Sequence, residues 1–200
     1  MKILHILIGS FISLSCTNST NNKPTEDILS QQDIDSRTAV TSVDSSKWTD
    51  SFLELKKAIT TGNKNAVKSF IDFPILNKGN EIWYLADTKL VMEISPEKII
   101  PFTETDFDRY FSSIFGLDLR KTLEKINEEE FFRTNKSESP EIEVVEHSKS
   151  KLEISYDTTT QKIIMTLLTT GLEFSVFTII YEFNVTDDQK IKFKQVRVIG

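Results

Sequence analysis

Few side chains in this chain carry reactive chemistry, and most stand alone. Cys16 is the single cysteine, so no intramolecular disulfide forms, and the two histidines are His5 and His147. A structural zinc site takes four ligands of Cys or His type, so that class is excluded. His147 follows Glu146 at the expected end of a strand, which offers a general base beside a carboxylate. Adjacent strand residues point to opposite faces, however, so Glu146 is not placed to orient the ring, and a solvated histidine is the plainer reading. Glu128-Glu129-Glu130, with Asp118 or Glu124, offers oxygens for a cation. A charge run at a helix end is otherwise a solvated face. Trp83, Tyr84, Tyr110, Tyr156 and Tyr181 are candidate pocket residues, because an aromatic ring with a polar tip holds a ligand by area and one hydrogen bond. The competing reading makes them core or sheet-surface residues. Asp87 and Asp106 read as turn and cap residues before they read as acids.

No nucleotide- or phosphate-binding pattern is present, and neither the HExxH nor the GxSxG pattern occurs. No cofactor or metal is expected from the motifs. A net charge of −6 gives no nucleic-acid footprint. At 200 residues, with 38% hydrophobic and 27% charged side chains, the chain has room for one ordinary domain and a tail.

The tail comes first. Lys2 precedes an apolar run from Ile3 to Leu14, which ends in Ser13-Leu14-Ser15-Cys16. The run is shorter than the ~20 apolar residues that span a bilayer and fits the core of a signal peptide. With Ser15 before Cys16, it resembles a bacterial lipoprotein signal peptide. That resemblance implies cleavage before Cys16 and lipidation of its thiol. The protein would then sit in the cell envelope, periplasmic or surface-exposed, with the membrane as a partner through Cys16. An idle thiol at the end of an ordinary secretory signal is the other reading. Residues 17–46 lack aromatics and are dense in Ser, Thr, Asn, Asp and Gln. Such a stretch cannot bury enough apolar area to offset chain entropy. The expected domains are therefore 1–15 signal peptide, 16–46 lipidated flexible tether and 47–200 a single domain. As a coil, the tether would hold the domain roughly 30 Å from its anchor.

Within the domain, Trp48, Phe52, Leu55 and Ile59 share one face of a helix over Lys47 to Thr60. A shorter helix is expected from Lys64 to Ile71, ended by Phe73-Pro74. Glu81–Ala86 and Lys89–Ile94 read as strands joined by a tight turn at Asp87-Thr88. Phe107, Tyr110, Phe111, Ile114 and Phe115 mark a third helix, with Thr103 and Asp106 as its capping pair and Gly116 as its C-terminal glycine. A fourth helix capped by Asp118 carries Leu119, Leu123 and Ile126. Arg133–Pro140 reads as a polar loop and Ser148-Lys149-Ser150 as a turn. Strands follow at Ile142–Glu146, Leu152–Tyr156 and Lys162–Thr169.

Two long limbs close the chain, Leu172–Phe183 and Lys190–Ile199. Each changes phase: Leu172, Phe174 and Val176 give way to Phe177, Ile179, Tyr181, Phe183 and Val185, and Ile191 and Phe193 give way to Val196 and Val198. A strand swaps its buried face through a bulge, a strong bend or partners on both sides, so a bent sheet is expected, with a flat sheet covered on both faces as the alternative. The fold class is α+β, a curved antiparallel sheet with three to four helices packed on one face. The order of elements, with Phe73-Pro74-Ile75 and Thr103-Glu104-Thr105-Asp106-Phe107, resembles the cone family typified by nuclear transport factor 2 and small envelope lipoproteins of similar plan. A cystatin-like sheet over one helix is a close rival. The resemblance implies a pocket under the sheet. The expected function is a non-enzymatic envelope module that binds a partner protein or small ligand. The alternatives are a pocket hydrolase or isomerase using carboxylate and Tyr groups, and an immunity or inhibitor protein.

Overall fold

The computed structural model describes residues 46–93, 95, 97–171 and 176–200, which all fall within one compact unit, Ser42–Gly200. Cys16, the tether and the first-limb residues Leu172 and Phe174 lie outside the described residues, as does Ile94. Helices α1 (Ser46–Thr60), α2 (Lys64–Lys68), α3 (Glu81–Ala86), α4 (Thr88–Met92), α5 (Glu104–Ile114), α6 (Leu117–Glu124) and α7 (Glu128–Thr134) precede the sheet. Its strands are β1 (Lys136–Glu138), β2 (Ile142–Val145), β3 (Ser148–Asp157), β4 (Lys162–Thr170), β5 (Val176–Val185) and β6 (Ile191–Ile199). The sheet is antiparallel in the order β1-β3-β4-β5-β6, and β2 also pairs with β3. The class is α+β, with a curved antiparallel sheet and helices on one face.

The phase change expected in β6 is a bulge. Glu182 pairs with Gln195, and the next residue, Phe183, pairs with Phe193, so Lys194 is left over. The extra residue moves Val196 onto the face already held by Ile191 and Phe193, and all three are buried. In β5, Tyr181, Phe183 and Val185 share the buried face, while Val176 is exposed.

β6 is an edge strand, yet its outward N–H groups are not left open. Ile191 N–H donates to Ser51 Oγ (3.1 Å) and Phe193 N–H to the Phe70 carbonyl (2.7 Å). Beyond the bulge, Val196 N–H donates to Asn77 Oδ1 (3.3 Å) and Val198 N–H to Glu81 Oε2 (2.9 Å). The helical layer thus blunts the edge with one acceptor per free donor.

That layer is filled with rings. Phe107, Phe111 and Phe115 recur along α5 and its exit, and all are buried. Phe115 stacks on Tyr181 at 5.8 Å and meets Phe193 edge-on at 6.2 Å. Trp48, Phe52, Phe131, Phe132 and Tyr156 form a second cluster between α1, α7 and β3. Lys56 of α1 is buried, and its ammonium donates to the Ile126 carbonyl (2.8 Å) and to Glu128 Oε1 (2.5 Å). A charge removed from water needs such partners, and here they tie α1 to the α6–α7 junction.

Several local expectations are corrected. Glu81–Ala86 and Thr88–Met92 are short helices, with Asp87 capping α4 through the Leu90 N–H (3.2 Å). Gly116 follows the Phe115 C-cap of α5 as expected, but at φ −66° it also serves as the N-cap of α6, and Asp118 lies within the first turn of that helix. Asn127 caps a separate helix, α7, whose end takes in Arg133. Lys136–Glu138 and Ser148–Ser150 belong to strands. The helix read as ending at Ile71 stops at Lys68. The Thr103–Asp106 capping box is present in both directions.

Phe115→Ala should destabilise the protein by about 3–5 kcal/mol, because it empties the space between α5 and the β5–β6 pair. Urea denaturation measures this, and a loss under 1 kcal/mol would mean that the ring does not span the two layers.

Candidate functional site: a cleft at the rim of the sheet

The helix-facing side of the sheet is packed solid. Leu152, Ile154, Ile163, Met165, Leu167 and Tyr181 are each at most 2% exposed. Tyr181, a candidate pocket residue, donates its hydroxyl to the Ile114 carbonyl (2.7 Å), and burial pushes its phenol far above the ordinary value of 10.0. Trp83 is also core, and its indole N–H donates to the Ile100 carbonyl (3.2 Å). Tyr110 meets Trp83 at 6.1 Å and donates to Asp87 Oδ2 (3.1 Å). That carboxylate lies below its usual range because it accepts from the Leu90 amide and then from Tyr110. Tyr156 is half-buried at 4.4 Å from Trp48 and donates to Gln161 Oε1 (2.8 Å). Of the expected pocket aromatics, then, only Trp83 and Tyr110 touch. Tyr84 lies apart from both, half exposed on the outer side of α3.

Tyr84 lines a cleft of about 620 Å³ with Gly79, Glu81, Phe177, Val198 and Gly200. The local sequence builds it. Asn77 is anchored to β6 through the Val196 N–H, and Gly79 at φ +75° and Asn80 at φ +56° then turn the chain sharply. Asn80 is held on both sides, accepting from the Ile100 N–H (2.8 Å) and donating to the Lys98 carbonyl (2.7 Å). α3 therefore starts at Glu81 against the end of β6, where Glu81 Oε2 takes the Val198 N–H (2.9 Å). Tyr84 is three residues on, so it shares the helix face of Glu81. Phe177, the second residue of β5, is 40% exposed and shares the cleft with a Tyr84 that is 46% exposed. Gly200 lies against the Phe177 ring, where a Cβ would come within 3.2 Å of it.

Among the described residues three other clefts are found, one mixed in polarity, one at the β5–β6 hairpin tip and one mainly apolar between α1 and α2. One of about 530 Å³ involves Glu130, Lys136, Glu138 and Glu153, another of about 670 Å³ lies beside Asp188 and Lys190, and the third, of about 280 Å³, runs along Glu54 and Lys57.

The acidic run is spent on structure: Glu128 pairs with Lys56, and Glu130 Oε2 accepts from Ser137 Oγ (3.2 Å). Among the described residues no three His, Cys, Asp or Glu side chains converge as metal ligands. His147 sits at φ +63° between β2 and β3, exposed, with Nε2 3.4 Å from Glu146 Oε1. Asp118 is the unexpected acid. Its Oδ1 is buried with no hydrogen-bond partner, and burial raises its carboxyl above the ordinary 3.8. Its charge also raises Tyr181, but neither residue lines any of the four clefts.

No family model matches this chain, and no curated protein matches it. Among solved structures, it is similar to a putative ketosteroid isomerase from Shewanella frigidimarina NCIMB 400, at 9% identity and a TM-score of 0.31. That likeness covers 78% of this chain and 98% of the other. It is too loose to lend this chain a family or an activity. Among the described residues, no helix is long and apolar enough to cross a membrane.

Asp118 gives a pH test. An acid whose folded pKa is raised holds its proton longer in the folded state, so stability falls as pH rises from the unfolded value through the folded one. Asp118→Asn should therefore raise the thermal midpoint at pH 7 and leave it unchanged near pH 3. Equal shifts at both values would show that the orphaned oxygen carries no buried charge.

Proposed function

We propose that the protein is a lipid-anchored envelope module that binds a small ligand without transforming it, on a cone-like α+β scaffold. The observation that carries this reading is the rim cleft. Two half-exposed aromatic rings and one carboxylate meet there, while the space under the sheet is taken up by side chains. The cleft's volume lies within the range of ordinary ligand sites, about 300–1,000 Å³. The anchoring half of the proposal is supported by the apolar run and Ser15-Cys16. Several acyl chains on one residue hold a protein at a bilayer, since each buried CH₂ contributes about 0.8 kcal/mol.

Asp118 favours a second reading, an enzyme that moves a proton with a carboxyl of raised pKa. It lacks an adjoining cleft among those described, and Tyr181 already spends its hydroxyl on a main-chain carbonyl. The binding module is the better supported of the two.

The test uses the full-length protein in dodecylmaltoside micelles and in cells. Cys16→Ser should move the protein out of the membrane fraction and abolish incorporation of labelled palmitate. Retention of both would overturn the anchor. A thermal-shift screen of small molecules, charged and neutral, should return ligands whose effect is lost in Phe177→Ala, with mass spectrometry recovering them unchanged. A ligand consumed by the protein would favour the enzyme, and no Phe177-dependent ligand would overturn the cleft as a binding site.

A further inference from the structure

We propose that the rim cleft recognises an organic ammonium group, a primary or alkylated amine carried on a small apolar body. The inference rests on reading that cleft as a ligand site and adds the ligand's chemical class.

Three observations converge. First, Glu81 has committed one carboxylate oxygen to the Val198 N–H, and among the described residues its other oxygen accepts no hydrogen bond and Glu81 makes no ion pair. That oxygen lies toward Gly79, 3.9 Å from where a Cβ would be. Second, among the described residues that line the cleft there is no lysine or arginine, so no cation of the lining itself answers the Glu81 carboxylate. Third, Tyr84 and Phe177 bring two rings to the same cleft, and the negative face of an aromatic ring attracts a cation. A carboxylate with a free oxygen beside aromatic rings suits a positive, weakly hydrated head group better than an anion or a strongly polar neutral molecule. Val198, and Gly79 and Gly200 with no side chains, leave room for the apolar body. Glu81 also holds the edge of β6, so its position is fixed before any ligand arrives, and little side-chain entropy remains to be lost on binding.

The probe pair is choline chloride and its neutral carbon isostere, 3,3-dimethylbutan-1-ol, titrated by ligand-observed NMR against the full-length protein in dodecylmaltoside. Choline should bind saturably and roughly three- to tenfold tighter than the isostere. Glu81→Gln keeps an acceptor for the Val198 N–H and should bring the two affinities together without moving the thermal midpoint. Tyr84→Leu, which leaves the edge bond intact, should narrow the preference while sparing the isostere. Competition by phosphatidylcholine vesicles but not by phosphatidylglycerol vesicles would assign the ammonium to a lipid headgroup. Competition by neither would assign it to a free amine. Equal affinity for both probes, no saturable choline binding, or a preference that survives Glu81→Gln would overturn the proposal. Equal affinity would leave the cleft standing as an apolar site, whereas an empty library screen would remove the cleft itself.

Discussion

Four hydrogen bonds along the outer edge of β6 hold the helical layer and the sheet in one register. Their donors are Ile191, Phe193, Val196 and Val198, and their acceptors come from Ser51, Phe70, Asn77 and Glu81. An extended strand points its amides alternately to either side. The outward set would therefore run through odd-numbered residues alone. The bulge at Lys194–Gln195 shifts it to even numbers partway, in step with the swap from Phe193 to Val196 on the buried face. One extra residue thus serves both the side chains and the amides. Without it, either the apolar face or the edge bonds would be lost over the last third of the strand. The opposite edge is managed differently, by two short strands, β1 and β2, laid end to end along β3.

This registration decides where ligand chemistry can sit. Because α5 is pressed onto β5 and β6, its phenylalanines and Tyr181 occupy the volume that an open cone would leave to a ligand. Tyr181 shows how completely: its hydroxyl is consumed by a main-chain carbonyl of the helix that covers it. What remains open is the rim, where α3 begins and the helical cover ends. Glu81 belongs to both stories, as an edge acceptor through one oxygen and as a cleft residue through the other.

Much of the scaffold was legible in the sequence, because it rests on local signals. Alternation in the two closing limbs located β5 and β6, the swap at Phe193–Val196 announced the bulge, and Thr103 with Asp106 announced the start of α5. The α3–α4 pair was misread because Ile82-Trp83-Tyr84-Leu85 has the composition of a strand, and six residues are too few to show a helical period. A signal did exist in Asp87, three residues before Leu90, which is N-cap spacing. Gly116 does stand just past the Phe115 C-cap of α5, but its second role, opening α6 at φ −66°, carries no separate sequence signal. The site was only half visible. Tyr84 stood out as an aromatic with a polar tip, but Glu81 and Phe177 join it only through the contact of α3 with β6, which links residues more than a hundred positions apart. No local pattern encodes that meeting.

Hydrogen exchange of the β6 amides is the most direct test of the sealed edge on which this account rests. The amides of Ile191, Phe193, Val196 and Val198 should exchange as slowly as those in the middle of β4, because each is held by an acceptor from the helical layer. Fast exchange at Val196 and Val198, with protection confined to the amides that face β5, would mean that the edge is open and that Glu81 is not fixed beside the cleft.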